Sequence, residues 1–241
     1  SGPFIGEMRA DAPGCGRSTV NYPSLLEEWL EAESFTDVSC AGARTDNLAN
    51  PQGTFGGGMA PPQLDAVSEE TTLVTLGIGA NNSLIYSGLV ACHAATTVCL
   101  SDALLASARE VEPAITASVE QVRDKAPDAQ VVVIGYPQIL PTEQGCEMVT
   151  ASPEVLGQVR EVEEALNASL ENGAEAAGAT YVDLWGPSQG HDACAGEEAW
   201  IVDRPNAAGT GAQFHPNAAG MRATAGVIHE VLTGEPPPDQ E

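Results

Sequence analysis

Residues 71–82 read TTLVTLGIGANN. Leu73, Val74, Leu76 and Ile78 supply a short apolar run, which ends abruptly in Gly77, Gly79, Ala80, Asn81 and Asn82. A run of this length bounded by small residues predicts a buried strand. Where it stops, backbone N–H groups and a side-chain amide stand at the carboxyl edge of a sheet, the edge on which open α/β sheets bind ligands. Donors preorganised there suit the developing oxyanion of acyl transfer. The same residues also make an ordinary Gly/Asn turn, so the choice falls to the rest of the chain.

Outward from this stretch, strands and helices alternate. QVVVIGYPQIL (130–140) is the clearest strand, four apolar residues stopped by Gly-Tyr-Pro, and TYVDL (180–184) is another. Phe35 to Cys40 reads as a brief strand running into AGART, which places Gly42 at a second strand end. Ser24 caps a short helix, LLEEWLEA, with Leu25, Leu26, Trp29 and Leu30 on one face. Asp102 to Lys125 is helical, with Pro113 breaking or kinking it. Ser152-Pro153-Glu154 starts a long amphipathic helix whose stripe runs Leu156, Val159, Val162, Leu166, Leu170, Ala174 and Ala177, and Gly178 ends it. Pro216 opens a last helix through Leu232. Residues 1–20, 47–70 and 83–100 read as loop or irregular chain. Strands separated by long helices imply parallel pairing, hence a three-layer α/β/α sandwich around a central parallel sheet. The expected organisation is one domain over residues 1–232 and a disordered, Pro-rich acidic tail over 233–241.

The chain has 241 residues, with 34 acidic against 9 basic side chains and a formal net charge of −25. Nucleic acid and anionic membranes both demand clustered Lys and Arg, so neither is an expected partner. No apolar run reaches transmembrane length, and SGPFIGEM lacks the basic and apolar regions of a signal peptide. Six cysteines, Cys15, Cys40, Cys92, Cys99, Cys146 and Cys194, suit three disulfides in an oxidising, extracellular compartment. Sequence alone leaves their connectivity open. They show no zinc-ligand spacing, and no phosphate-binding glycine fingerprint follows a strand, so no metal or cofactor is expected.

Of the four histidines, His229 reads as a surface residue of the last helix, while His93 and His191 adjoin cysteines. His215 lies in QFHPNAAG, immediately before a proline-initiated helix, where a side chain can reach across the sheet edge as a general base.

Taken together, Gly14, Cys15, Arg17 and Ser18 ahead of Tyr22-Pro23, then SCAGART (39–45), LGIGANN (76–82), VVVIGYP (131–137) and FHPNAAG (214–220) resemble the SGNH, or GDSL-type, hydrolases. The likeness is strongest to their secreted, three-disulfide actinobacterial lipases and esterases, and it covers roughly residues 1–232. It implies a flavodoxin-like sheet and a secreted carboxylic-ester hydrolase that needs no cofactor. Gly42 N–H and the Asn81 side chain match the oxyanion donors, and His215 matches the base. The resemblance also implies pairing of the cysteines in chain order.

Three departures follow. The family's GDS nucleophile motif is not in the chain, and Ser1-Gly2-Pro3 matches what usually follows it. The serine and the first strand are therefore expected upstream of residue 1, and the chain as given is expected to be inactive. The family's acid position, three before the histidine, is Ala212, which leaves a backbone carbonyl or Asp203 to orient His215. Asn82 stands where the family usually has Asp. The expected partner is a small-molecule or lipid acyl ester, bound by a monomer. Four Phe, four Tyr and three Trp offer no broad platform for polysaccharide, which leans the expectation toward acyl chains. The competing reading is a non-catalytic glycan- or lipid-binding module on the same scaffold.

Overall fold

The central strand is buried on both faces, and the two helical layers form around it. The computed structural model describes residues 9, 13–97, 99, 102–204 and 211–238; the expectations for Ser1-Gly2-Pro3 and for the last three residues lie outside these. Strands β3 (Leu73–Leu76), β4 (Gln130–Ile134) and β5 (Thr180–Val182) form a parallel sheet in the order β3-β4-β5. A separate antiparallel ribbon joins β1 (Gln52–Gly53) to β2 (Met59–Ala60).

Alternate residues of β4 point to opposite sides. Val131 and Val133 join a core with Ile115, Val119 and Val122 of α4 (Val111–Lys125) and Leu156, Leu166 and Leu170 of α5 (Pro153–Ala176). Val132 and Ile134 join the other core, with Tyr22, Leu26 and Trp29 of α1 (Tyr22–Trp29) and Met221, Ala225 and Ile228 of α6 (Ala218–Thr233). Each fully buried Val, Leu or Ile stabilises by about 1.5–3 kcal/mol relative to exposure, so the doubly covered strand fixes the three-layer α/β/α arrangement.

Several elements differ from the sequence reading. The first helix begins at Tyr22: Asn21 Oδ1 accepts from Ser24 N (3.2 Å) and Ser24 Oγ (2.8 Å), so Asn21, not Ser24, is the cap. Within residues 83–100, where the sequence predicts irregular chain, Ile85–Ala91 form a helix, α2. The segment 102–125 divides into α3 (Asp102–Arg109) and α4. Pro113 has no N–H for the Arg109 carbonyl four residues back, which instead accepts from Ser169 Oγ (3.4 Å). His229 is buried, its ring edge-on to Trp29 with centroids 6.1 Å apart.

Phe35–Cys40 forms no ladder. It lines one cleft, of about 1000 Å³, together with β3, which is a terminal strand of the sheet. Among the described residues no strand pairs with that edge, and β3 is only half-buried along most of its length. The six cysteines form Cys15–Cys40, Cys92–Cys99 and Cys146–Cys194.

Among the described residues, the ion pairs of Arg44, Arg160 and Arg204 lie at the surface, while several cations cap carbonyls. Arg123 donates to Ala177 O (2.5 Å) and Gly178 O (2.6 Å) at the end of α5, Lys125 Nζ to Leu64 O (2.6 Å), and Arg17 Nε to Ser39 O (2.6 Å). No helix among the described residues is long and apolar enough to cross a membrane.

Helices α4 and α5 pack tightly at Gly173. A Cβ there would lie 2.6 Å from Glu112 O and 2.9 Å from Ile115 Cβ, whereas one at Gly157, on the same helix, would meet nothing within 4 Å. Opposite signs follow. In urea denaturation, Gly173→Ala should destabilise by about 1–3 kcal/mol through overpacking. Gly157→Ala should stabilise by about 0.5–1 kcal/mol through helix propensity.

Candidate active site

Gly42, Asn81 and His215 all line the cleft beside β3. Gly42 adopts φ +77°, a conformation in which glycine is unstrained. Its neighbours are anchored: Ala41 N donates to Cys15 O and Ala43 N to Cys40 O, both at 3.0 Å, while Ala41 O accepts from Gln52 Nε2 (2.8 Å). Among the described residues the Gly42 N–H itself meets no acceptor. The Cys15–Cys40 bridge closes this loop from behind.

Asn81 follows the β3 strand end. One hydrogen of its side-chain amide goes to Ala43 O (3.2 Å), and the amide has a second to offer. Asn82, the departure noted above, ties the two loops together: its Oδ1 accepts from Thr45 N (3.1 Å) and its Nδ2 donates to Thr45 Oγ1 (2.8 Å).

His215 sits in a loop held by Phe214 N to Val202 O (2.8 Å) and Val202 N to His215 O (2.9 Å). Its Nδ1 lies 3.0 Å from Gln213 O and 3.0 Å from Tyr86 Oη. Burial lowers the imidazole pKa, partly opposed by the Gln213 carbonyl. A neutral ring whose Nδ1–H faces a carbonyl leaves Nε2 as the basic nitrogen. Among the described residues Asp203 is not part of this arrangement: its carboxylate lies 3.5 Å from Arg204 Nε, and its backbone oxygen accepts from Gln213 Nε2 (2.9 Å).

The other histidines are engaged elsewhere. His93 Nδ1 donates to Val90 O (2.8 Å), and its ring packs on Phe214. His191 Nδ1 donates to Glu198 O (2.6 Å), and its ring stacks on Trp200 at 4.4 Å.

Sequence reading missed the supports behind these groups. Tyr136, which the sequence marks only as a strand stop, accepts at Oη from Ala80 N (3.2 Å), next to Asn81. Asn167 of α5 holds the Tyr136 backbone from both sides, accepting from its N (2.8 Å) and donating to its O (3.1 Å). An Asn on the buried stripe between Leu166 and Leu170 was the available signal. Tyr86 lay in the stretch read as irregular. One turn before Asn167, Glu163 is fully buried; its Oε1 accepts from Ile139 N (3.3 Å) and its Oε2 has no partner among the described residues. Burial raises its pKa well above the ordinary carboxylate range, with Asp192 adding to the rise.

Residues 5–223 match the GDSL-like Lipase/Acylhydrolase family. Lipase 2 of Streptomyces coelicolor is 37% identical over 235 residues, covering 90% of this chain and 77% of that protein. The crystal structure of phospholipase A1 from Streptomyces albidoflavus superposes with a TM-score of 0.76 at 25% identity, covering 95% of this chain and 94% of that one. The extracellular lipase of Streptomyces rimosus superposes with a TM-score of 0.72 at 26% identity, again over 95% and 94%. The chain belongs to the GDSL-like lipase/acylhydrolase family. It is an ester-hydrolysing enzyme on an α/β fold, and the binding-module reading is not favoured.

Glu163 offers a test of the layer behind the site. A carboxyl whose folded pKa is raised contributes its stability fully below the unfolded pKa and loses it as pH rises through the folded value. Glu163→Gln keeps the acceptor for Ile139 N without a charge to bury. Its melting temperature should match the parent near pH ~4 and exceed it increasingly toward pH ~8, as read by calorimetry across that range.

Proposed function

We propose that this protein is an extracellular serine hydrolase of acyl esters in which His215 is the base and Gly42 N–H and Asn81 Nδ2 form the oxyanion hole. The observation that carries the reading is their arrangement: two unspent donors and a neutral imidazole held through Nδ1 open on one cleft. A serine Oγ attacks the ester carbonyl while His215 Nε2 takes its proton. The carbonyl electrons pass to an oxyanion that Gly42 and Asn81 stabilise. Collapse expels the alcohol, which takes the proton from His215, and water then cleaves the acyl-enzyme by the same steps. Gln213 O plays the orienting part that an acid plays in a full triad.

The serine itself is proposed to stand on an extended segment preceding residue 1 and lying along the edge of β3 that is unpaired among the described residues. Two observations support this. The cleft of about 1000 Å³ is lined by Leu73–Ile78 and by Thr36–Ala41, and it leads to all three site residues. Ser1-Gly2-Pro3 also resembles the continuation of a GDS motif. A parallel strand in that position would give both β3 and the 36–41 segment a neighbour and end its run beside Asn81.

Three disulfides suit an oxidising compartment, and a net charge of −25 repels anionic interfaces. The proposed substrates are therefore neutral or zwitterionic acyl esters met outside the cell, taken by a monomer.

A short-chain p-nitrophenyl ester assay tests the whole reading. Turnover should appear in a protein extended through the native upstream strand and be absent from the 241-residue chain. In the extended protein, His215→Ala should lower kcat by about three to six orders of magnitude, whereas His191→Ala should leave most activity. Equal turnover by both proteins, abolished by Ser1→Ala, would place the nucleophile elsewhere.

A further inference from the structure

We infer that Tyr86 is a positioning residue for His215, locking the imidazole in the tautomer with Nδ1 protonated and joining it mechanically to the Asn81 loop. The inference rests on His215 being the base.

Tyr86 Oη lies 2.9 Å from Phe214 O and 3.0 Å from His215 Nδ1, with the two rings 5.0 Å apart. A carbonyl only accepts, so the single phenolic hydrogen is directed to Phe214 O. That leaves a lone pair of Oη facing His215 Nδ1. Gln213 O, also an acceptor only, lies 3.0 Å from the same nitrogen. Two acceptors therefore converge on Nδ1, and the neutral ring is held with its hydrogen there and Nε2 free. Burial and the charge of Glu163 raise the Tyr86 pKa, so the phenol keeps the hydrogen it gives to Phe214.

The backbone on both sides is bent to make this contact. Phe214 has φ +60°, a left-handed conformation uncommon for a bulky side chain. Ser83 and Leu84, with φ +50° and +61°, form two consecutive left-handed residues between Asn81 and Tyr86. Such strain persists where surrounding contacts over-determine it, and it concentrates at functional sites. The tight return lets Tyr86 N donate to Ala80 O (2.7 Å), the residue before Asn81. A chain of direct contacts then runs from Ala80 through Tyr86 to His215, fixing the base relative to the oxyanion donor.

The test reads the tautomer directly and needs no turnover. In the 241-residue chain labelled with ¹⁵N-histidine, long-range ¹H–¹⁵N spectra should show His215 as the Nδ1–H form. Tyr86→Phe should raise its Nε2–H fraction several-fold while His93 and His191, whose Nδ1 atoms donate to Val90 O and Glu198 O, keep their signals and report an intact fold. In the extended, active enzyme the same substitution should lower kcat about 10- to 100-fold with KM little changed. An unaltered His215 tautomer in Tyr86→Phe overturns the inference whatever the activity. A shifted tautomer in a protein that hydrolyses no ester upholds it and counts instead against the proposed function.

Discussion

Burial of β4 on both faces is the constraint from which the rest of the structure follows. A parallel strand flanked by strands on both sides cannot reach water, so Val131 to Ile134 each need an apolar partner, and two helical layers supply them. With α4 and α5 on one side and α1 and α6 on the other, every connection leaving the carboxyl end of the sheet is forced to the same rim. The loops that follow β3 and β4 meet there, and the loop before α6 crosses to them. The site is a product of this convergence.

The second requirement is that loops at the rim be as exact as the strands beneath them. Carboxamides meet it. Asn167 closes both backbone groups of Tyr136, Tyr136 receives Ala80 N, and Asn82 grips Thr45 beside the Gly42 loop. Each is a neutral pair in partly buried surroundings, worth about 1 kcal/mol net but far more expensive to break than to make. Position at the rim is thus held by polar contacts whose loss would leave buried groups unsatisfied, while the fold beneath is held by apolar area.

Legibility followed the same division. Strands β3, β4 and β5 and the stripe of α5 were readable because apolar periodicity reports burial directly. Phe35–Cys40 has the residues of a strand, yet pairing depends on a neighbour that periodicity does not reveal, and it has none among the described residues. Helix α2 escaped because seven residues with a glycine among them carry little pattern. That Gly42, Asn81 and His215 gather on one cleft was legible through short motifs in order, and the proposal of His215 over His191 rests on its loop context. Tyr86 and Tyr136 were not, since their roles come from a hydroxyl reaching an element distant in sequence. The disulfide pairing was accessible only through the family resemblance, and the Gln213 carbonyl beside His215 Nδ1 is a backbone atom that no side-chain motif marks.

The use of Arg17, Arg123 and Lys125 to cap carbonyls has a consequence for the environment in which the chain is comfortable. Cations spent on the backbone neutralise helix ends and loops but leave the acidic surface facing itself, with a formal charge of −25 over 241 residues. Such a surface repels itself over a Debye length of about 10 Å at 0.1 M salt and only ~3 Å at 1 M. Added salt is therefore expected to stabilise its folded state by screening that repulsion, more than it weakens the few exposed pairs of Arg44, Arg160 and Arg204.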